Sequence, residues 1–310
     1  MPLFVALGRW NMTPTLHSRT GSPSGGIPNP RGPSRGKPVK DSPAIDRLSF
    51  LERALLFAKL SKIAYSPPAQ AGLQARELGF GDTLFFDRDG AQAYRFQNAV
   101  NCVIAFRGTE PKQWNDLAAD AKVRTVLSEL AGKVHRGFKR EADDLWPLVE
   151  TSMLRNSKQL YLCGHSLGAA MATICALRCV ESHIPSHPAE LFTFGSPRIG
   201  NKRYLASAPL NHFRFVNNND IVAQVPPLWL GYRHSGCEVY ANRQGKLIRL
   251  DDTARRRDHW HGFVRGLKRG KLDHFADHSI DHYITIIDQA LQQQPSGQDH
   301  PISHRLHQPH

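Results

Sequence analysis

The chain is predicted to take an α/β fold, with a mostly parallel central sheet and helices on both faces. Two observations predict it. Short apolar runs rich in strand formers alternate along the chain with segments of helical periodicity, the pattern of a sheet covered on both sides. At 159–174 one such run, Gln159-Leu160-Tyr161-Leu162-Cys163, passes into helix formers, Ala169-Ala170-Met171-Ala172-Thr173-Ile174, through Gly164-His165-Ser166-Leu167-Gly168.

The elements follow in order. Asp41-Ser42-Pro43 reads as a helix cap followed by proline in the first turn. Ile45, Leu48, Leu51, Leu55, Ala58 and Ile63 then recur at helical spacing, so one long amphipathic helix is expected to about Tyr65. Thr83–Phe86, Ala93–Phe96 and Cys102–Phe106 read as strands, the first two a hairpin turning at Asp89-Gly90. A helix from about Lys139 to Asn156 precedes the strand that ends at the pentapeptide. Glu190–Phe194 and Asn211–Val216 are two further buried strands. Residues 1–42 are rich in Pro, Gly, Ser and Arg and are expected to be a disordered basic tail; 292–310 read as a second disordered tail. The folded domain is expected over 43–291, with no internal repeat.

The formal net charge of +13 is concentrated in two places. Residues 1–40 carry Arg9, Arg19, Arg31, Arg35, Lys37 and Lys40 with no acid. Residues 253–271 carry Arg255, Arg256, Arg257, Arg265, Lys268, Arg269 and Lys271 against Asp258. Neither stretch has a nucleic-acid-binding fold signature, so nucleic acid is not an expected partner and solvated chain is the favoured account. The five cysteines (Cys102, Cys163, Cys175, Cys179 and Cys237) lack C-x-x-C spacing, which argues against a zinc site; they read as buried small hydrophobes in a reducing compartment. No run reaches the ~18 apolar residues of a membrane-spanning helix. Leu3–Leu7 is shorter than a signal-peptide core, so no secretion signal is read and the compartment stays open.

The pentapeptide carries the chemistry. G-x-S-x-G by itself recurs by chance as an ordinary turn. A strand before it and a helix after it make it a nucleophile elbow, which specifies the α/β-hydrolase fold. The glycines leave room where the serine holds a strained backbone, and the helix start aims N–H groups at any oxyanion formed there. A base and an acid are then required in the order Ser, Asp, His. Asp220 directly follows the apolar strand 213–216 through three asparagines, and in such sheets chemistry gathers at the strands' carboxyl ends. His278 stands at the entrance of a final helix beginning near Ser279, whereas His282 lies a turn inside it; geometry favours His278 with His282 as the alternative. His135 and His165 read as structural neighbours of the site. Neither a metal nor a cofactor is required.

Six segments together resemble the class 3 lipases, the fungal-type triacylglycerol lipases and their bacterial relatives. They are Phe106–Pro111, Val134–Phe138, Gly164–Ala170, Phe194–Asn201, Asn219–Val222 and Asp277–Ile280, in the family's order over about residues 100–290. A tyrosine five residues past the histidine, as Tyr283 is past His278, is also family usage. The resemblance does not cover the tails or 253–271. It implies a carboxylic ester hydrolase acting on acyl esters, acylglycerols above all, with Ser166 as nucleophile, His278 as base and Asp220 as its partner. It also implies an oxyanion hole from the Leu167 N–H and from Thr109. In the family the segment between Glu110 and Lys133 is a lid; here it reads equally as a helix packed on the core. The stretch 255–269, with Trp260 and Phe263 among its cations, reads as a solvated loop before it reads as a contact with a lipid interface. Two other classes share these residues: an inactive lipid- or protein-binding scaffold, and an acyltransferase with the same triad.

Overall fold

The computed structural model describes residues 44–108, 124–217, 220–242, 246–248 and 278–294. Thr109, the segment from Glu110 to Val123 that reads as a lid or a packed helix, the stretch 253–271, residues 1–43 and residues 295–310 lie outside them.

The first helix starts later than its sequence suggests. Ile45–Arg47 is a separate 3-10 turn, and α1 (Phe50–Ile63) begins at Ser49. The Ser49 side chain accepts from the Glu52 N–H while Glu52 accepts from the Ser49 N–H. This capping box satisfies two otherwise orphaned donors and outweighs the Pro43 signal. Next come α2 (Pro68–Glu77), β1 (Asp82–Arg88), β2 (Ala91–Gln97) and β3 (Asn101–Phe106). Asp89 and Gly90 both have positive φ, 53° and 89°, which lets a two-residue turn follow the twist of the β1–β2 hairpin. β4 (Thr125–Leu127) and β5 (Lys133–His135) form a second small hairpin, so this part of the segment is β structure and not the packed helix. Then follow α3 (Arg136–Met153), β6 (Gln159–His165), α4 (Leu167–Glu181), β7 (Pro188–Phe194), the short α5 (Lys202–Leu205), β8 (His212–Asn217), β9 (Cys237–Ala241), β10 (Leu247–Ile248) and α6 (Ile280–Gln292).

Eight strands form one sheet in the order β1-β2-β3-β6-β7-β8-β9-β10. β3, β6, β7, β8 and β9 run parallel, and the outer pairings are antiparallel. The two-residue period of each strand sorts its side chains between two cores. Val103, Ala105, Tyr161, Cys163, Phe192 and Phe194 pack with α1 and α6. Cys102, Ile104, Phe106, Leu160 and Leu162 pack on the other side with α3 and α4. Helices therefore cover both faces, and β6 lies near the centre, buried from Leu160 onward. Four cysteines are buried and Cys237 is half-buried. Among the described residues no helix is long and apolar enough to cross a membrane.

Two buried polar groups tie neighbouring strands together, and a half-buried histidine starts α3. Arg214 on β8 donates to Glu238 on β9 at 2.6 Å with both side chains almost fully enclosed. His212 lies between the hydroxyls of Thr193 and Ser235, at 2.8 and 3.0 Å, and burial lowers its pKa to about 3. His135 caps α3 by accepting from the Phe138 N–H at 3.3 Å and stacks on the Phe138 ring; burial lowers its pKa to about 4.

Both histidines are thus held neutral, while the unfolded chain protonates them near pH 6.5. Below that pH the unfolded state binds more protons, so stability falls as pH drops towards 4, at most about 2.7 kcal/mol per pH unit for two protons. Urea midpoints taken from pH 7.5 to 5 check this, and a midpoint that does not move would refute it. Glu238→Ala is expected to cost about 3–5 kcal/mol by stranding a buried guanidinium, whereas Arg214→Met with Glu238→Leu loses far less. Equal losses in the two proteins would be inconsistent with that account.

Candidate active site

Ser166 sits between β6 and α4 with φ 61° and ψ −128°, a strained combination for a residue bearing a side chain. Close packing imposes it. A Cβ on Gly164 would lie 2.8 Å from the Ala169 nitrogen, and one on Gly168 would meet the Phe106 carbonyl of β3. The Ser166 N–H donates to the Phe194 carbonyl at 3.0 Å, which ties the turn to β7. α4 then starts at Leu167, whose N–H belongs to the first turn and has no acceptor within its own helix.

The structure brings Ser166, Asp220 and His278 together from three separate segments. His278 Nε2 is 2.8 Å from Ser166 Oγ, and His278 Nδ1 is 2.9 Å from each Asp220 oxygen. All three residues are buried. An ionised carboxylate only accepts, so Nδ1 carries the proton and Nε2 keeps a lone pair for the serine O–H. His282, the alternative, is one turn into α6 and exposed.

Asp220 is gripped from several sides. Burial by itself would raise its pKa, but the attraction of His278 and hydrogen bonds from His278 and Tyr283 outweigh it, and the net shift is downward. The Tyr283 hydroxyl donates to Oδ2 at 2.6 Å and accepts from the Asn217 N–H at 3.1 Å. Burial, then the adjacent carboxylate, pushes the Tyr283 phenol well up, so it stays a donor. The Val222 N–H donates to Oδ1 at 2.9 Å. Gly195, at φ 58°, leaves the gap this cluster needs: a Cβ there would stand 2.6 Å from Asp220 Oδ2 and 2.9 Å from His278 Nδ1.

A further pair of residues holds His278 from behind. His165 Nε2 lies 2.6 Å from the His278 carbonyl, and His165 Nδ1 is 2.9 Å from the Tyr65 hydroxyl. A carbonyl only accepts, so Nε2 bears the hydrogen and Tyr65 donates to Nδ1. Burial, with His278 beside it, lowers the His165 pKa to about 3 and keeps that ring neutral. The neighbourly role expected of His165 is thus specific: it grips the backbone of His278. Tyr65 was not legible as a site residue, because nothing in the local pattern at the end of α1 marks a contact 100 positions away.

Thr109 lies outside the described residues, but its neighbour Gly108 is described. A Cβ on Gly108 would come within 3.1 Å of Ser166 Cβ, so the chain leaving β3 passes directly against the serine.

Comparison with known proteins finds likenesses of sequence and of fold. Residues 103–229 match the family model Lipase (class 3). The chain is 34% identical over 174 residues to the secreted mono- and diacylglycerol lipase A of Penicillium cyclopium, covering 52% of this chain and 54% of that protein. It is 31% identical over 170 residues to a lipase of Rhizomucor miehei, covering 51% and 46%. Similarity to the toxin TseL of Vibrio cholerae is 33% over 137 residues, covering 41% and 21%. The chain therefore spans about half the length of these curated relatives, or less. Among solved structures, the Rhizomucor miehei triacylglyceride lipase matches with a TM-score of 0.56 at 22% identity, over 64% of this chain and 82% of that one, a likeness of fold. The sheet order, the covered faces and this likeness make the fold that of an α/β-hydrolase, and it is residues 103–229 that match the class 3 lipase model.

Proposed function

We propose that this protein is a carboxylic ester hydrolase of the lipase type, cleaving acyl esters, acylglycerols in particular, through an acyl-enzyme on Ser166. One observation carries the reading: the unbroken, buried chain of hydrogen bonds from Ser166 Oγ through His278 to Asp220. The names of the fungal relatives, lipase and mono- and diacylglycerol lipase, supply the substrate class.

The steps follow from the proton positions. His278 Nε2 takes the Ser166 proton as Oγ attacks the ester carbonyl, and Asp220 stabilises the resulting imidazolium. The negative charge on the former carbonyl oxygen meets the Leu167 N–H at the start of α4 and Thr109, beside the Gly108 contact. His278 then protonates the departing alkoxide. Water, deprotonated by the same imidazole, releases the acid and restores Ser166. Tyr283 and His165 act as positioning residues, one on the carboxylate and one on the backbone of the base.

A chain-length series of p-nitrophenyl esters and a fluorophosphonate probe test the proposal. Wild type is expected to turn over the esters and to label, and Ser166→Ala to abolish labelling and lower kcat by about 10⁴-fold or more. Asp220→Asn is expected to lower kcat by about 10⁴-fold, through loss of the required tautomer. Thr109→Ala is expected to lose on the order of 10²-fold as an oxyanion donor. Folded wild-type protein that neither labels nor turns over any chain length would overturn the reading.

A further inference from the structure

The geometry points to an anionic lipid surface as a docking partner, bound by the exposed Leu228-Trp229-Leu230 turn and by cations of the β4–β5 hairpin and the α5 turn beside it.

The apolar part is a presented wedge. Leu228, Trp229 and Leu230 are 51, 75 and 48% exposed at three consecutive positions of one 3-10 turn. The backbone beneath them is fixed. Leu230 and Gly231 N–H groups donate back to Pro227 and Leu228, and Gly231 closes the turn at φ 85°. Arg233 Nη1 donates to the Leu228 and Tyr232 carbonyls at 2.9 and 2.7 Å, and Arg198 Nη1 to the Pro226 carbonyl at 3.0 Å. Holding three large apolar side chains outward on so well bonded a turn fits a surface that enters an apolar medium. Tryptophan suits its boundary with water in particular.

The cationic part is contiguous with it. Gly200 bridges Arg233 on one side and Val134 of β5 on the other, and Asn201 exchanges hydrogen bonds with Lys133. These links bring Lys133, Arg136, Lys202 and Arg203 onto the structure that carries the wedge, all four exposed. Leu127, opposite Lys133 in the hairpin, is 76% exposed and extends the apolar area. The only carboxylate on the segments 124–136, 200–205 and 221–233 is Glu129, and Arg178 and Lys139 already hold it. Apolar insertion together with several cations that pair with no carboxylate among the described residues is the composition that binds anionic lipid; cations without an insertable wedge would serve any polyanion. The face is also on the correct edge of the molecule. Both the hairpin and the wedge lie on connections that leave the carboxyl ends of strands, β3 and β8, the edge at which Ser166 follows β6. Docking there would bring membrane esters to the serine; that benefit rests on the hydrolase reading, whereas the docking itself does not.

The test uses the full chain with Ser166→Ala, so that lipid stays intact, sedimented with vesicles of phosphatidylcholine alone or mixed with phosphatidylserine. Binding is expected to need phosphatidylserine and to weaken with salt. Trp229→Ser is expected to weaken it by about tenfold or more, and Lys133→Gln and Lys202→Gln by about fivefold each. Absence of vesicle binding, or binding indifferent to all three substitutions, overturns the proposal. Equal binding of heparin by the parent and by Trp229→Ser, with vesicle binding also unchanged, identifies a general polyanion site and overturns it as well. Turnover of dissolved p-nitrophenyl butyrate, measured with Ser166 restored, separates the two readings. Variants that keep this turnover but lose vesicles support the docking face. A protein without turnover whose vesicle binding still depends on Trp229 keeps the face and loses the hydrolase.

Discussion

The left-handed backbone of Ser166 is the constraint on which the rest of the structure depends. Holding a side-chain-bearing residue at φ 61° costs on the order of 1–3 kcal/mol, and it persists only where the surroundings leave no alternative. Here they leave none. The Phe106 carbonyl, the crossing at Gly164 and Gly168, and the N–H bond to Phe194 occupy three sides of the turn. The first and last of these contacts come from β3 and β7, the strands that flank β6. The central position of β6 is thus the support of the elbow as well as a feature of topology. The nearly complete burial of α4 closes the fourth side.

Electrostatics imposes the second requirement. A buried carboxylate is tolerable only with donors aimed at it, and among the described residues Asp220 has the His278 ring, the Tyr283 hydroxyl and the Val222 N–H. The gap at Gly195 lets these groups converge. The neutral His165 adds a bond without adding a competing charge beside His278, because its ring lies where burial forbids protonation. The same side of the sheet therefore carries an ionised acid and a neutral imidazole within one hydrogen-bonded cluster, each held in its state by its surroundings.

Much of this was legible in the sequence, for local reasons. Ser166 could be read because the elbow is a contiguous signal of strand, small residues and helix. Asp220 and His278 could be read because each lies at a boundary, one after an apolar strand and one before a helix. The strands were legible where β-branched and aromatic residues cluster, and β9, with Glu238 in its middle, was missed because its charge finds a partner only across the sheet. The start of α1 was misread: Pro43 is a generic signal, while Ser49 and Glu52 satisfy the backbone directly. Val126 and Leu130 have helical spacing, yet the pairing of Val126 with Val134 makes a hairpin there. Tyr65 was beyond reach, since its partner is set by how α1 lies on the sheet and by nothing near it in sequence.

The contact between α1 and α6 has a consequence for synthesis. Lys62 of α1 pairs with Asp281 of α6, and both helices share one core against the same face of the sheet. His278 and Tyr283 arrive with α6, after the eight described strands of the sheet. A ribosome-bound chain can therefore present β6, α4 and the elbow while Ser166 still lacks its hydrogen bond to His278. Emergence of α6 brings its part of the core and the His278 hydrogen bonds together. A chain that stops short of α6 therefore has Ser166 without the His278 hydrogen bond and α1 without its partner helix.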